Sequence, residues 1–160
     1  MSLLPSPRTS FFTGKGRVDS LRLRLQYRKG TVYTDFSVGK DLEGHENVVN
    51  GAIAFGVLDV IMWYVIFMET AKNCMTRKVD VDFLKPVICD RTYRAQAKLV
   101  RVEERDAWVT AWIEGPGKER HTEVRGLFRE PAVSIGRDFT GWDFSGVSHE
   151  IREKFLSPSP

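Results

Sequence analysis

One stretch of the sequence limits the possible fold more than any other. Residues 48–68 read VVNGAIAFGVLDVIMWYVIFM and contain only two strongly polar side chains, those of Asn50 and Asp59. The stretch is long enough to cross a membrane, but a carboxylate near the middle of a membrane span costs about 3 kcal/mol, and no second span accompanies it. The sequence therefore predicts a buried helix from about Val48 to Lys72, with Asn47 as its N-cap.

The segments around this helix have the alternation and turn chemistry of antiparallel strands. Polar and apolar residues alternate at 21–28, and β-branched or aromatic residues dominate the other segments. An α+β fold follows, in which a curved antiparallel sheet of five to six strands wraps around one long central helix. We predict strands at 21–28, 31–38, 75–84, 93–102, 108–113 and 124–128.

Length and composition limit the chain to one domain and a few classes of function. At 160 residues one core suffices, so we predict a domain over 17–132, a flexible N-terminal segment over 1–16, and a C-terminal extension over 133–160 with a short helix. A net charge of +3, with both signs scattered, argues against nucleic acid as a partner. Two cysteines and three histidines without ligand spacing predict no disulfide, metal or cofactor. We expect a cytoplasmic protein without a membrane partner.

Two residues of the apolar stretch can take part in chemistry. Asp59 is surrounded by apolar neighbours, so it is either a structural carboxylate bonded across an interface or a functional one. Gly51 lies in the first turn, where free backbone N–H groups and the helix dipole favour a developing oxyanion. The two are eight residues apart, about 12 Å along a helix. If they act together, Gly51 comes from one subunit and Asp59 from the other.

The helix itself also predicts self-association. Apolar side chains from Ile61 to Met68 occupy every side of the helix over two turns, which is more apolar surface than one small sheet can cover. We therefore expect part of it to contact a second copy in a homodimer, or in a dimer of dimers.

Two motifs carry a resemblance to a known family. Residues 44–52, GHENVVNGA, followed by Leu58-Asp59, and residues 76–86, TRKVDVDFLKP, resemble the signature of hotdog-fold acyl-CoA thioesterases of the phenylacetate-pathway and 4-hydroxybenzoyl-CoA type. The resemblance covers about residues 41–130 and implies a hotdog fold with an acyl-CoA substrate.

The resemblance also assigns roles to individual residues. It implies that Gly51 supplies the oxyanion-hole amide, that Asp59 acts as general base or nucleophile, and that Thr76 helps to hold the attacking water. Asn50 stands where the family commonly has His. An amide can still donate a hydrogen bond there, but it cannot change its protonation state as His does.

Further residues are candidates for substrate binding. Ala52 replaces a second glycine of the family pattern and can offer its N–H, while Gly44 stands where some members carry an Asn that holds the thioester carbonyl. His45 either fixes the loop or donates at the pocket edge, and Lys85 either meets coenzyme A phosphates or lies at a solvated strand end. Two aromatic or thioether side chains of the helix are candidates for apolar pocket walls, although such residues are more often core: Met62 and Trp63.

The function predicted from the sequence is hydrolysis of a small or medium acyl- or aryl-CoA thioester. Because Asn50 replaces the usual His, a non-catalytic acyl-CoA or lipid-binding protein on the same fold is the alternative. A third possibility, an acyl hydratase or dehydratase, rests only on the spacing of His45 and Asp59.

Overall fold

The fold is one antiparallel sheet of seven strands around one long helix. The computed structural model describes residues 2–157, so residue 1 of the N-terminal segment and residues 158–160 of the C-terminal extension lie outside the described residues. The strands are β1 (Ser2–Leu3), β2 (Gln26–Arg28), β3 (Thr31–Phe36), β4 (Met75–Phe83), β5 (Tyr93–Glu103), β6 (Asp106–Glu114) and β7 (Arg120–Arg129). The helices are α1 (Gly51–Thr70) and α2 (His149–Leu156), and a 3-10 turn spans Lys40–Leu42.

The sheet has the order β1-β2-β3-β5-β6-β7-β4, so β1 and β4 are its edges. The predicted α+β class and the sheet around a central helix are confirmed. There are seven strands rather than five to six because the short β1 pairs with β2 through Ser2–Tyr27 and Leu3–Gln26.

Small side chains on the central strands let α1 lie close to the sheet. Ala95 and Ala97 of β5 and Ala107 and Ala111 of β6 are almost completely buried. In α1, ten residues are buried within this single chain: Ala54, Val57, Leu58, Ile61, Met62, Tyr64, Val65, Ile66, Phe67 and Met68. The helix is thus the core element that the apolar stretch predicts.

The helix begins three residues later than predicted. Asn47 has a left-handed backbone, with φ of 62°, and Val48 and Val49 form bridges to neighbouring strand-like segments instead of a first turn. Asn50 is the N-cap, and its side chain accepts a hydrogen bond from the Ala52 N–H. Gly51 is therefore the first helical residue.

The N-terminal segment makes contacts with the central helix. We call residues 2–16 the N-terminal arm. The Tyr64 hydroxyl of α1 donates to the Pro5 carbonyl over 2.7 Å. The Phe12 ring lies against Gly56 of α1, so closely that a Cβ on this glycine would come within 2.3 Å of it.

The arm also changes the first predicted strand, at 21–28. The Leu21 and Leu23 N–H groups donate to the carbonyls of the arm residues Phe11 and Phe12, and Arg22 has a positive φ of 51°. The alternating pattern of this segment therefore reflects burial against the arm, and only Gln26–Arg28 pairs as a strand.

The C-terminal extension covers a second face of α1 with aromatic rings. Trp63 stacks on Phe67 at 5.3 Å between ring centroids and contacts Phe139 and Trp142 of the extension. Phe155 of α2 packs on Phe67 at 4.6 Å. This aromatic cluster, together with the arm, buries apolar helix surface that we had assigned to a partner subunit, so the apolarity of the helix alone no longer requires a dimer.

One described helix, α1, is long and apolar enough to cross a membrane by length and composition. In the structure it is wrapped by the sheet, and the arm and the aromatic cluster cover further parts of it. Its apolar composition is accounted for by the core.

Candidate functional site

A cavity opens at the N-terminus of α1. It has a volume of about 560 Å³ and lies between the segment that leads into α1 and the segment that follows β4. Five residues of the predicted site line it: Gly44, His45, Asn50, Gly51 and Lys85. The remaining lining is mainly apolar, which suits an acyl group.

The Asn50 side chain has two polar atoms, Oδ1 and Nδ2, and lines this cavity. Its Oδ1 accepts a hydrogen bond from the Ala52 N–H over 2.8 Å, which leaves the Ala52 amide occupied. Its Nδ2 has no partner among the described residues, and neither does the Gly51 N–H. Two hydrogen-bond donors at a helix N-terminus thus face no competing acceptor in the described part of the chain.

Because Gly44 has no side chain, the Asn50 side chain has room beside it. A Cβ at position 44 would lie 3.3 Å from the Asn50 Cα and 3.6 Å from its Nδ2. The Asn50 amide therefore lies next to position 44. By the resemblance, some family members carry an Asn at that position.

Asp59 lies elsewhere on the helix, beside the edge strand. The Thr76 hydroxyl of β4 donates to Asp59 Oδ1 over 2.6 Å, at the point where a bulge shifts the register of β4. Burial raises the pKa of Asp59 above its ordinary value, and the hydrogen bond from Thr76 opposes this shift. A half-buried carboxyl with one hydroxyl partner and no cation is suited to proton transfer.

Within one chain the site residues form two groups. Gly51 and Asn50 line the cavity, whereas Asp59 and Thr76 do not. Gly51 and Asp59 lie on the same straight helix, so they are about 12 Å apart along its axis. One chain therefore holds the donors and the carboxylate at separate places, as the sequence predicts for a site shared by two subunits.

Three predicted substrate-binding residues do not line the cavity: Ala52, Met62 and Trp63. The Ala52 N–H is already bound to Asn50 Oδ1, so it is not available to a substrate. Met62 is completely buried in the core, next to Gly126 of β7. Trp63 belongs to the aromatic cluster, and its indole N–H donates to Asn73 Oδ1 over 2.9 Å. Neither side chain lines the space at the start of α1, so in this chain both have structural roles.

Three further residues in or next to the cavity were not predicted from the sequence. Phe83 of β4 packs against Gly51, 3.3 Å from where a Cβ would be, and it belongs to the strand motif that carries the resemblance. His121 of β7 holds the loop after β4, with Nδ1 2.8 Å from the Pro86 carbonyl oxygen. Thr122, the next residue, lines the cavity, and nothing in the sequence pattern singles it out.

Solved structures of the thioesterase superfamily share this architecture. A thioesterase superfamily protein, RHA08564, superposes with a TM-score of 0.70 over 76% of this chain, at 20% identity. The PaaI protein of the Escherichia coli phenylacetic acid degradation operon gives 0.65 over 72% of this chain and 83% of its own, at 16% identity. The chain has the hotdog fold. It covers 63% of the RHA08564 chain.

Some hotdog neighbours are described with coenzyme A. A hypothetical thioesterase from Streptococcus pneumoniae, solved with coenzyme A, has a TM-score of 0.62 over 67% of this chain and 86% of its own, at 14% identity. These likenesses establish the fold of the chain.

Sequence comparison gives weaker likenesses than structural comparison. No protein-family model matches the chain. An uncharacterized protein of Schizosaccharomyces pombe is 29% identical over 83 residues, which are 51% of this chain. The matched region spans about half of that relative, 47% of its length.

Proposed function

We propose that this hotdog protein is an acyl-CoA thioesterase that hydrolyses a small or medium acyl- or aryl-CoA thioester. The observation that carries the proposal is the start of α1, where Gly51 and Asn50 line a largely apolar cavity and neither the Gly51 N–H nor Asn50 Nδ2 has a hydrogen-bond partner among the described residues. The substrate's acyl group would occupy the cavity, with its carbonyl oxygen at these donors.

The donors at the start of α1 stabilise the charge that develops in the reaction. When water adds to the thioester carbonyl, a C–O bond forms and the carbonyl oxygen becomes an oxyanion. The Gly51 N–H, the Asn50 amide and the positive end of the helix dipole all favour that charge. Collapse of the tetrahedral intermediate breaks the C–S bond and releases the carboxylic acid and the coenzyme A thiol.

Asp59 of the facing subunit carries out the proton transfers or acts as the nucleophile. As a general base, Asp59 takes a proton from the attacking water and returns it to the leaving sulfur, and Thr76 orients the carboxylate. As a nucleophile, it forms an acyl intermediate that water then hydrolyses. Both routes need the unprotonated carboxylate, and both need it within reach of the carbonyl held by the partner's Gly51.

A second copy has a place to bind at the β4 edge. All nine residues of β4 are exposed or half-buried, and β4 pairs only with β7. The free edge of a long strand offers backbone N–H and C=O groups with which a strand of another chain can pair. Asp59 and Thr76 lie beside this edge, so a homodimer formed here would bring them towards the partner's cavity.

Lys85 follows β4 at the rim of the cavity. Its ammonium group is placed to meet the phosphates of coenzyme A while the acyl group lies inside.

The first test is the release of free thiol from a panel of acyl- and aryl-CoA thioesters, with Asp59→Asn as the matched variant. We expect at least one thioester to be hydrolysed, and Asp59→Asn to lower kcat by about 10² or more because the base or nucleophile is lost. If no thioester is hydrolysed faster by the wild type than by Asp59→Asn, the proposed activity is refuted.

The second test asks whether the site is shared. Asp59→Asn and Asn50→Asp subunits, carrying different tags, are co-expressed, and the hybrid dimer is purified through both tags. A shared site restores one intact site of two, so the hybrid is expected to have about half of the wild-type activity. A site formed within one chain leaves the hybrid as inactive as its parents.

The alternative is a protein that binds acyl-CoA without hydrolysing it. It is favoured by Asn50, whose amide cannot exchange protons where the family commonly has His. Calorimetry that shows tight binding of an acyl-CoA, followed by quantitative recovery of the intact thioester, would support this alternative over hydrolysis.

A further inference from the structure

A bulge in β7 gives His121 an unusual place in the sheet. Along β7, Thr122 pairs with Ile113 and Arg120 pairs with Glu114, so His121 is the extra residue between them. His121 and Thr122 follow each other and are both buried, whereas the side chains of a regular strand alternate between its two faces. Bulges redirect side chains in this way, and they are over-represented beside functional sites.

The redirected imidazole holds residues 84–88, which follow β4 and which we call the cavity segment because its first four residues line the cavity. His121 Nδ1 lies 2.8 Å from the Pro86 carbonyl oxygen. Because a carbonyl can only accept, Nδ1 carries the proton of this hydrogen bond. The His121 carbonyl oxygen accepts from the Leu84 and Lys85 N–H groups over 2.9 and 3.1 Å. One residue thus binds three consecutive residues of the cavity segment.

The orientation of the imidazole is itself fixed from two sides. His121 Nε2 lies 3.2 Å from Glu119 Oε1. The backbone N–H of Glu119 and the imidazole lower the pKa of the Glu119 carboxyl, so this carboxylate is a permanent acceptor at neutral pH. On the other side, the Tyr93 ring packs edge-on against the imidazole, with 5.0 Å between the ring centroids.

The middle of the cavity segment depends on the imidazole more than its ends do. At the far end, the Tyr93 hydroxyl accepts from the Ile88 N–H over 3.0 Å, and the Val49 N–H donates to the Val87 carbonyl over 2.8 Å. The near end continues directly from β4. Pro86 lies between these anchors and has no backbone N–H, so its carbonyl is the backbone group through which it can be held.

We infer that His121 is a positioning residue for acyl-CoA binding, which fixes the cavity wall and Lys85 through its hydrogen bond to the Pro86 carbonyl. The inference rests on the proposed function. Without this bond the middle of the cavity segment can move, so the wall and the Lys85 ammonium group are no longer preorganised for a thioester.

The effect should fall on binding rather than on the chemical step. His121 does not itself line the cavity. The start of α1 has an anchor of its own, because the Asn50 N–H donates to the Leu42 carbonyl over 3.0 Å. The proposed oxyanion donors therefore keep their place when the cavity segment moves. A change that weakens the binding of substrate and transition state alike raises KM and leaves kcat unchanged.

The test uses two amide variants of His121, each of which keeps one donor of the imidazole. In His121→Asn the amide nitrogen takes the place of Nδ1 and can still donate to Pro86, whereas in His121→Gln it takes the place of Nε2 and reaches Glu119 instead. Each variant loses one hydrogen bond, so a purely structural role affects both alike, and thermal unfolding measures that loss.

The two variants should differ in KM. We expect His121→Gln to raise KM for the thioester about tenfold, which equals about 1.4 kcal/mol, with kcat within about twofold of the wild type. His121→Asn should keep the wild-type KM. If KM changes equally in both variants, or if His121→Gln leaves it unchanged, His121 only packs and the inference is refuted.

Binding of coenzyme A, measured by calorimetry for the wild type and both variants, separates this inference from the proposed function. If no thioester is hydrolysed but coenzyme A binds, and His121→Gln alone weakens its binding, the proposed hydrolysis fails and the inference stands. If thioesters are hydrolysed and neither KM nor binding distinguishes the variants, the inference fails and the proposed hydrolysis stands. A wild type that neither hydrolyses a thioester nor binds coenzyme A refutes both.

Discussion

The proposed function gives the Asn50 side chain two roles, one in stability and one in catalysis, and substitutions can separate them. Its Oδ1 caps α1 through the Ala52 N–H over 2.8 Å, and its Nδ2 is available to the substrate. Loss of such a cap costs about 1 kcal/mol, which for a domain of this size lowers Tm by about 2–4 °C. Loss of one oxyanion donor lowers kcat by about 10²–10³.

Three variants distinguish these contributions. Asn50→Ala removes both, so we expect a lower Tm and a lower kcat. Asn50→Ser keeps a cap oxygen without the amide, and we expect a nearly unchanged Tm with the same loss of kcat. Asn50→Asp keeps the cap and adds a favourable charge at the helix N-terminus, but its carboxylate repels the oxyanion, so kcat should fall at least as far as in Asn50→Ala.

Thermal unfolding followed by circular dichroism measures Tm, and thiol release at saturating thioester measures kcat. Wild-type kcat in Asn50→Ser would refute the amide as an oxyanion donor. An unchanged Tm in Asn50→Ala would refute the cap as a source of stability.

Two further predictions follow from the contacts of α1. Because burial raises the pKa of Asp59 and Thr76 opposes the shift, activity should fall with decreasing pH at a higher pH than for an ordinary aspartate. Thr76→Val should move this acid limb of kcat/KM to still higher pH, and an unmoved limb would exclude Asp59 as the titrating group. Gly56→Ala places a Cβ within 2.3 Å of Phe12, so urea unfolding should show a loss of about 1–3 kcal/mol. Gly141→Ala, which has open space around it, should show no comparable loss.

The central helix was predictable from its long apolar stretch, and the candidate site residues Asp59 and Gly51 stand out because they break that pattern. A carboxylate within an apolar stretch, and a glycine where such a helix starts, have few purely structural explanations. The exact start of α1 was not predictable, since Asn47 and Asn50 are equally good N-caps in the sequence. The bridges of Val48 and Val49 decide between them, and the bridge of Val48 depends on Ile88, which is far away in the sequence.

Long-range packing accounts for the other differences. Leu21 and Leu23 alternate with arginines as in a strand, but their partners are the carbonyls of the arm. The sequence makes Trp63 a candidate for the pocket wall because it is a large apolar side chain of the helix, whereas in the structure it packs against rings of the C-terminal extension. Thr122 gives no signal at all, because threonine is common in strands and only the structure reveals that it lines the cavity.

The N-terminal arm and the C-terminal extension meet over the central helix. Ser6 and Asp143 pair through both of their backbone amides, and the Lys15 ammonium lies 2.8 Å from the Asp143 carboxylate. The segments that cover α1 are therefore tied to each other as well as to the helix. Neither should open alone, so the N-terminal arm and the C-terminal extension form one cooperative unit of local unfolding, which closes around the helix only after the extension has been synthesised.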